Sequence, residues 1–144
     1  MSFVRSTLML THEAVFTMLQ AAVAKAEEIG QPQCIVIVDV SCLTLAEFRM
    51  TDAKPLSLKS ARAKAMTAAS IGAATLIIPE AVKPLIAAAT EGSVTGLPGG
   101  LPIRIDGHLL GGIGVGSGSG DQDITVAKAA LDAIHAESDE TVGS

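Results

Sequence analysis

Ser57, Ser60, Lys64 and Thr67 follow one another at intervals of three and four. On a helix advancing 100° per residue they fall along one flank. That flank sets three hydroxyls around one ammonium, a surface suited to a ligand carboxylate, with Lys64 as the charge and the hydroxyls as orienting donors or acceptors. The same pattern also describes a boundary lysine whose stem covers apolar surface while its head stays in water. Arg49, late in the preceding apolar run, neighbours the loop leading to Ser57 and could reach the same mouth; its alternative is a plain edge-strand charge. Gly99 and Gly100, within Pro98-Gly-Gly-Leu-Pro102, would offer bare backbone N–H groups as an opposite wall. The expected ligand-binding set is therefore Arg49, Ser57, Ser60, Lys64, Thr67, Gly99 and Gly100.

Other reactive residues form no recognisable constellation. His12, His108 and His135 have no i,i+4 pairing and suggest no metal site. Cys34 and Cys42 lie at different ends of one expected hairpin, so both are expected to be free thiols. No G-x-S-x-G elbow supports a serine triad. The run Gly111-Gly-Ile-Gly-Val-Gly-Ser-Gly-Ser-Gly120 stands where a dinucleotide loop would, between a strand and a helix. Serines replace its third glycine, no lysine follows, and Asp121 and Asp123 at the helix start would repel a phosphate. The alternating Gly112, Gly114 and Gly116 instead bare one face of a strand for a helix, a ligand or another subunit to approach.

The elements that must position these residues can be read from the apolar periodicity. Thr11 precedes a helical run through Val15, Leu19, Ala22, Val23 and Ala26, which Gly30 and Pro32 stop. Cys34–Asp39 reads as a strand covered on both faces, and Thr44–Met50 as its hairpin partner. Ser57 is placed to cap a second helix ending at Gly72, with Leu58, Ala61, Ala65, Ala68 and Ala69 as its core stripe. Residues 73–90 read as short helices or a covering segment. Leu101–Ile105 and His108–Val115 flank an Asp106-Gly107 turn, and a last helix runs from Asp121 to His135. A further strand near Ser93–Leu97 would make the sheet five-stranded.

The expected fold is one α/β (α+β) domain over residues 1–136, with a largely antiparallel sheet, followed by a disordered polar tail at 137–144. Its 144 residues suffice for one core and not two. Hydrophobic residues make up 49% but aromatics only 2%, with neither Trp nor Tyr, so few rings are available to stack a base. A net charge of −5 argues against nucleic acid or an anionic membrane as partner. The N-terminal ten residues carry one arginine and a broken apolar stretch, which points to neither a signal peptide nor a membrane span and makes a cytoplasmic location the expectation. A mean hydropathy of +0.48 in so small a body favours a homo-oligomer.

Taken in order, Val38-Asp39, Arg49-Met50, Ala61-Arg-Ala-Lys-Ala-Met-Thr-Ala-Ala69, Pro98-Gly-Gly-Leu-Pro-Ile103, Gly107, Gly112-Ile-Gly-Val115 and Asp121-Gln-Asp123 resemble the GlcG/HbpS-like heme-binding family. That family includes the C-terminal domain of PduO-type proteins, and the resemblance covers roughly residues 8 to 136. It implies a profilin-like sandwich in the order α-β-β-α-β-β-β-α and assembly into homo-oligomers. It also implies heme or corrinoid-related binding, or an accessory role beside catabolic enzymes. The chain departs from the family in its first hairpin turn, where Ser41, Cys42 and Leu43 replace two glycines and a histidine. Met66 stands for an aromatic, and Gly116 for a strand-end serine. No axial heme ligand is carried over.

Two functions of different kind remain. One is a binding protein for heme or another carboxylated planar molecule, accessory to a catabolic pathway. The other is a cofactor-independent lyase or isomerase acting on a small aromatic or hydroxy acid, with Lys64 or Arg49 as electrostatic clamp and Asp121 or Asp123 as base. A purely structural subunit is a third possibility.

Overall fold

The computed structural model describes residues 1–138. The first helix, α1 (His12–Glu28), starts where the Thr11 hydroxyl accepts the Ala14 N–H, and ends before Gly30. It leads into β1 (Cys34–Asp39), which turns into β2 (Thr44–Arg49). Then come α2 (Ser57–Ile71), a 3-10 turn at Thr75–Ile77 and a short α3 (Lys83–Ala89). The chain closes with β3 (Gly100–Ile105), β4 (His108–Gly116) and α4 (Gly120–Ala133). The β3–β4 connection is the expected two-residue turn, with positive φ at both Asp106 and Gly107.

The strands form one antiparallel sheet in the order β2-β1-β4-β3. Alternation along central β1 divides the core. Ile35 and Ile37 face α1 and α4, packing with Met18, Ala22, Val126 and Leu131. Cys34, Val36 and Val38 face α2 and meet Ala61, Ala65 and Ala69. The apolar run of β1 therefore follows from helices on both faces.

The bare face of β4 is covered by α2. A Cβ at Gly112 or Gly114 would overlap the Ala65 or Ala61 carbonyl, so the alanines of α2 and the glycines of β4 together bring helix backbone against strand backbone.

Two expectations are corrected. The sheet has four strands, because residues 93–97 satisfy their backbone elsewhere. The Thr67 hydroxyl donates to Ser93 O and accepts from Thr95 N, and the Leu97 carbonyl accepts from the Thr75 hydroxyl. Ser57 is the first helical residue and not the cap. The turn before it bonds Ser57 N to Lys54 O and Leu58 N to Pro55 O, so the helix start is satisfied by backbone. Of the expected polar tail, Glu137 donates its N–H to Arg104 O and accepts the Gly107 N–H. Residues 139–144 lie outside the described residues.

Candidate functional site

Each residue expected at the ligand site has a definite place. Lys64 lies on the flank of α2 that meets the end of β4 and the start of α4. Its Nζ donates to Asp123 Oδ2 at 3.0 Å and to Val115 O at 2.7 Å. Both side chains of this ion pair are sealed from water, 5% and 4% exposed. Asp123 is held from a second side, since its Oδ1 accepts the Gly118 N–H at 3.0 Å. The Gln33 amide, oriented with its nitrogen inward, donates to the same Oδ1 at 2.9 Å and also to Gly116 O. The ammonium thus has two strong acceptors inside the protein and faces no opening.

The loop that was to form the opposite wall lies directly on this pair. Gly99 takes φ +117, and a Cβ there would come within 2.7 Å of Val115 O, 2.8 Å of Asp123 Cβ and 3.2 Å of Lys64 Nζ. The Gly100 N–H donates to the Thr75 hydroxyl, and its Cα packs against the backbone of Lys64. The two walls are in contact, and the ion pair fills the space between them. Thr67 is wholly buried as the bridge to residues 93–95.

What remains open on α2 is smaller. Ser60, whose hydroxyl donates to Ser57 O, lines a shallow groove of about 250 Å³ with Lys59, Ala63, Thr95 and Leu97. Lys59 is the cation of that groove. It escaped the sequence reading because it falls between the spaced positions that defined the flank. Ser57 lies beside Gly116 at the head of the helix. Arg49, exposed at the end of β2, pairs in register with Cys34 and does not line the groove.

A larger crevice of about 540 Å³ opens at the foot of α1. Leu10, Val15 and Leu19 form its apolar base, and Met9, His12 and Phe16 stand exposed around it. The signal was present in the sequence: His12 and Phe16 are spaced i,i+4, on a face distinct from the buried stripe of Val15, Met18, Ala22 and Ala26.

The cysteines are free thiols. Burial pushes the Cys34 thiol above its ordinary pKa, with the Arg49 guanidinium pulling partly back and the carboxylates of Asp123 and Glu47 adding to the rise. Burial also raises Cys42, helped by the Asp39 carboxylate. Among the described residues no helix is long and apolar enough to cross a membrane.

Comparison with known proteins places this architecture. The chain is 35% identical over 131 residues to the corrinoid adenosyltransferase PduO of Citrobacter freundii, covering 88% of this chain but 39% of that protein. It therefore spans about two-fifths of the length of that relative. It is also 34% identical over 128 residues to an uncharacterized 15.0 kDa protein of the dhaT-dhaS intergenic region of Citrobacter freundii, covering 85% of this chain and 90% of that one. Among solved structures, the PduOC:heme complex superposes with a TM-score of 0.85 at 30% identity, over 90% of this chain and 98% of that one. The family model described as haem degrading protein HbpS-like matches residues 10–132, nearly the whole folded body, and the chain belongs to that family.

Proposed function

We propose that this protein binds a planar, carboxylate-bearing small molecule, heme foremost, and serves beside a catabolic enzyme. The observation that carries the reading is the heme complex of a relative whose chain superposes over 98% of its length. The residues present here fit such a group. Cofactor sites generally occupy about 300–1,000 Å³ of mostly apolar space. The crevice at the foot of α1 is in that range at about 540 Å³, and the α2 groove falls below it at about 250 Å³. An imidazole and a thioether, the donors that porphyrin iron accepts, stand at the crevice in His12 and Met9. Heme would supply one-electron and dioxygen chemistry, while the chain supplies apolar enclosure and orientation. The α2 groove, with Lys59, Ser60 and Thr95, suits the carboxylate of a smaller molecule. The lyase or isomerase alternative is weakened because Lys64 and Asp123 neutralise each other away from solvent.

The test is a titration of the purified protein with hemin, followed by absorbance. A Soret band shifting to saturation at stoichiometric amounts supports the reading. No shift, in a sample that takes up a small aromatic acid instead, would replace it with the enzyme alternative.

A further inference from the structure

We infer that the groove along α2 is a ligand site in its own right and takes a small hydroxy-carboxylic acid. The Lys59 ammonium and the Thr95 hydroxyl would hold the carboxylate, and Ser60 the ligand's own hydroxyl. This deepens the reading of that groove given above and does not depend on the crevice at α1. One wall is the face of α2 that the fold leaves uncovered. Leu56, Lys59, Ser60 and Ala63 recur there at intervals of three and four, on the side away from the Ala61, Ala65 and Ala69 stripe that meets the sheet. The other wall is the segment after α3, which contributes Gly92, Thr95 and Leu97. Hydrogen bonds fix that wall: the Thr67 hydroxyl holds Ser93 O and Thr95 N, and the Thr75 hydroxyl holds Leu97 O. The groove opens to solvent at Gly92, where no atom lies within 4 Å of the place a Cβ would take.

Each polar group in the groove has bonding capacity left for a ligand. Lys59 forms no ion pair among the described residues, whereas Lys25, Lys64 and Lys83 are each bonded to a carboxylate. The Thr95 hydroxyl accepts the Leu97 N–H at 3.1 Å, so its own proton remains for a ligand oxygen. Ser60 donates its proton to Ser57 O at 3.2 Å, which leaves its oxygen as an acceptor. A cation and an O–H donor beside an acceptor match a carboxylate beside a hydroxyl. Lys59 is the one charged residue lining the groove, and a single positive charge suits one carboxylate better than a dianionic phosphate. Leu56 and Leu97, 83% and 53% exposed on opposite walls, offer apolar contact to a short hydrocarbon or aromatic tail. At about 250 Å³ the groove lies below the usual range of about 300–1,000 Å³ for cofactor sites, so the acid must be small.

The experiment titrates the isotope-labelled full chain with lactate and with mandelate and follows the backbone amide resonances by NMR. Each acid is compared with its analogue lacking the hydroxyl, propionate or phenylacetate, and with its neutral amide. Saturable shifts at residues 56–63 and 92–97 are expected from at least one of the two hydroxy acids. Its neutral amide should bind about 10- to 100-fold more weakly, and the acid without the hydroxyl about 3- to 10-fold more weakly. Lys59→Met should weaken binding by about 10- to 100-fold and Thr95→Val by about 10-fold, with Thr95→Ser restoring it. None of these substitutions should alter hemin titration, since neither residue lines the crevice at α1. No saturable shift with either hydroxy acid, shifts confined to other parts of the chain, or undiminished binding by Lys59→Met overturns the site. An analogue that binds as tightly as its hydroxy acid overturns the ligand class. Hemin uptake without acid binding overturns the groove and leaves the heme reading standing, and acid binding without hemin uptake does the reverse.

Discussion

Replacing Lys64 with Met removes a buried ammonium while keeping the apolar stem. Its consequence follows from the partners it leaves behind. Asp123 would keep the Gly118 N–H and the Gln33 amide but lose its cation, and Val115 O would lose a donor at 2.7 Å. Breaking a buried pair by removing one partner typically costs about 3–5 kcal/mol, because an uncompensated charge remains inside. Total stability for a domain of this kind is about 5–15 kcal/mol, so Lys64→Met removes a large fraction of it. At about 3–4 °C per kcal/mol, the melting temperature should fall by roughly 9–20 °C. Urea denaturation of Lys64→Met, Asp123→Asn and the double variant forms a closed cycle. The double variant should recover much of the loss, since no charge is then left unpaired. The reasoning is refuted if Lys64→Met stays within about 1 kcal/mol of the parent, the range of a solvated surface pair. If that variant also lost ligand binding, the ammonium would belong to a ligand after all.

Gly114→Ala should destabilise by at least about 1–3 kcal/mol or prevent folding, because its Cβ would overlap the Ala61 carbonyl; thermal melts of soluble protein check this. Both thiols should react with a disulfide reagent at pH 8 more slowly than a free cysteine, since burial raises their pKa values. The linked stability is present below the ordinary thiol pKa and lost as pH rises through the raised folded value; urea melts between pH 7 and pH 10 should fall in that direction. Unfolding without reductant should release two titratable thiols, and a count of none would mean a disulfide. With Phe3, Phe48, Leu56 and Leu85 exposed, we expect a homo-oligomer in sedimentation at micromolar concentration; a monomer alone would contradict this.

Local chemistry made much of the fold legible. Thr11, Gly72 and Asp106-Gly107 each set a boundary through a cap or a positive φ, and the unbroken apolar run of β1 announced cover on both faces. The alternating glycines of β4 were read as an approach face, and α2 proved to be what approaches. What failed was tertiary in origin. Residues 93–97 look like a strand by composition, but Thr67, some 26 residues earlier in the chain, takes their backbone bonds. Helical spacing correctly gathered Ser57, Ser60, Lys64 and Thr67 on one flank but could not say what that flank meets. Asp123, 59 residues away, was read as a carboxylate at a helix start and a candidate base, and only the placement of the first turn of α4 past the end of β4 reveals it as the partner of Lys64. The crevice was missed because it joins the N-terminal segment, α1 and the edge strand β2, none of which shares a motif with the others.

The most direct test of the account is to mix the protein with one equivalent of hemin, pass it through a desalting column and record the absorbance of the protein peak. The account predicts that heme elutes with the protein near one per chain, with a shifted Soret band. A colourless protein peak, with the heme retained on the column, would contradict it.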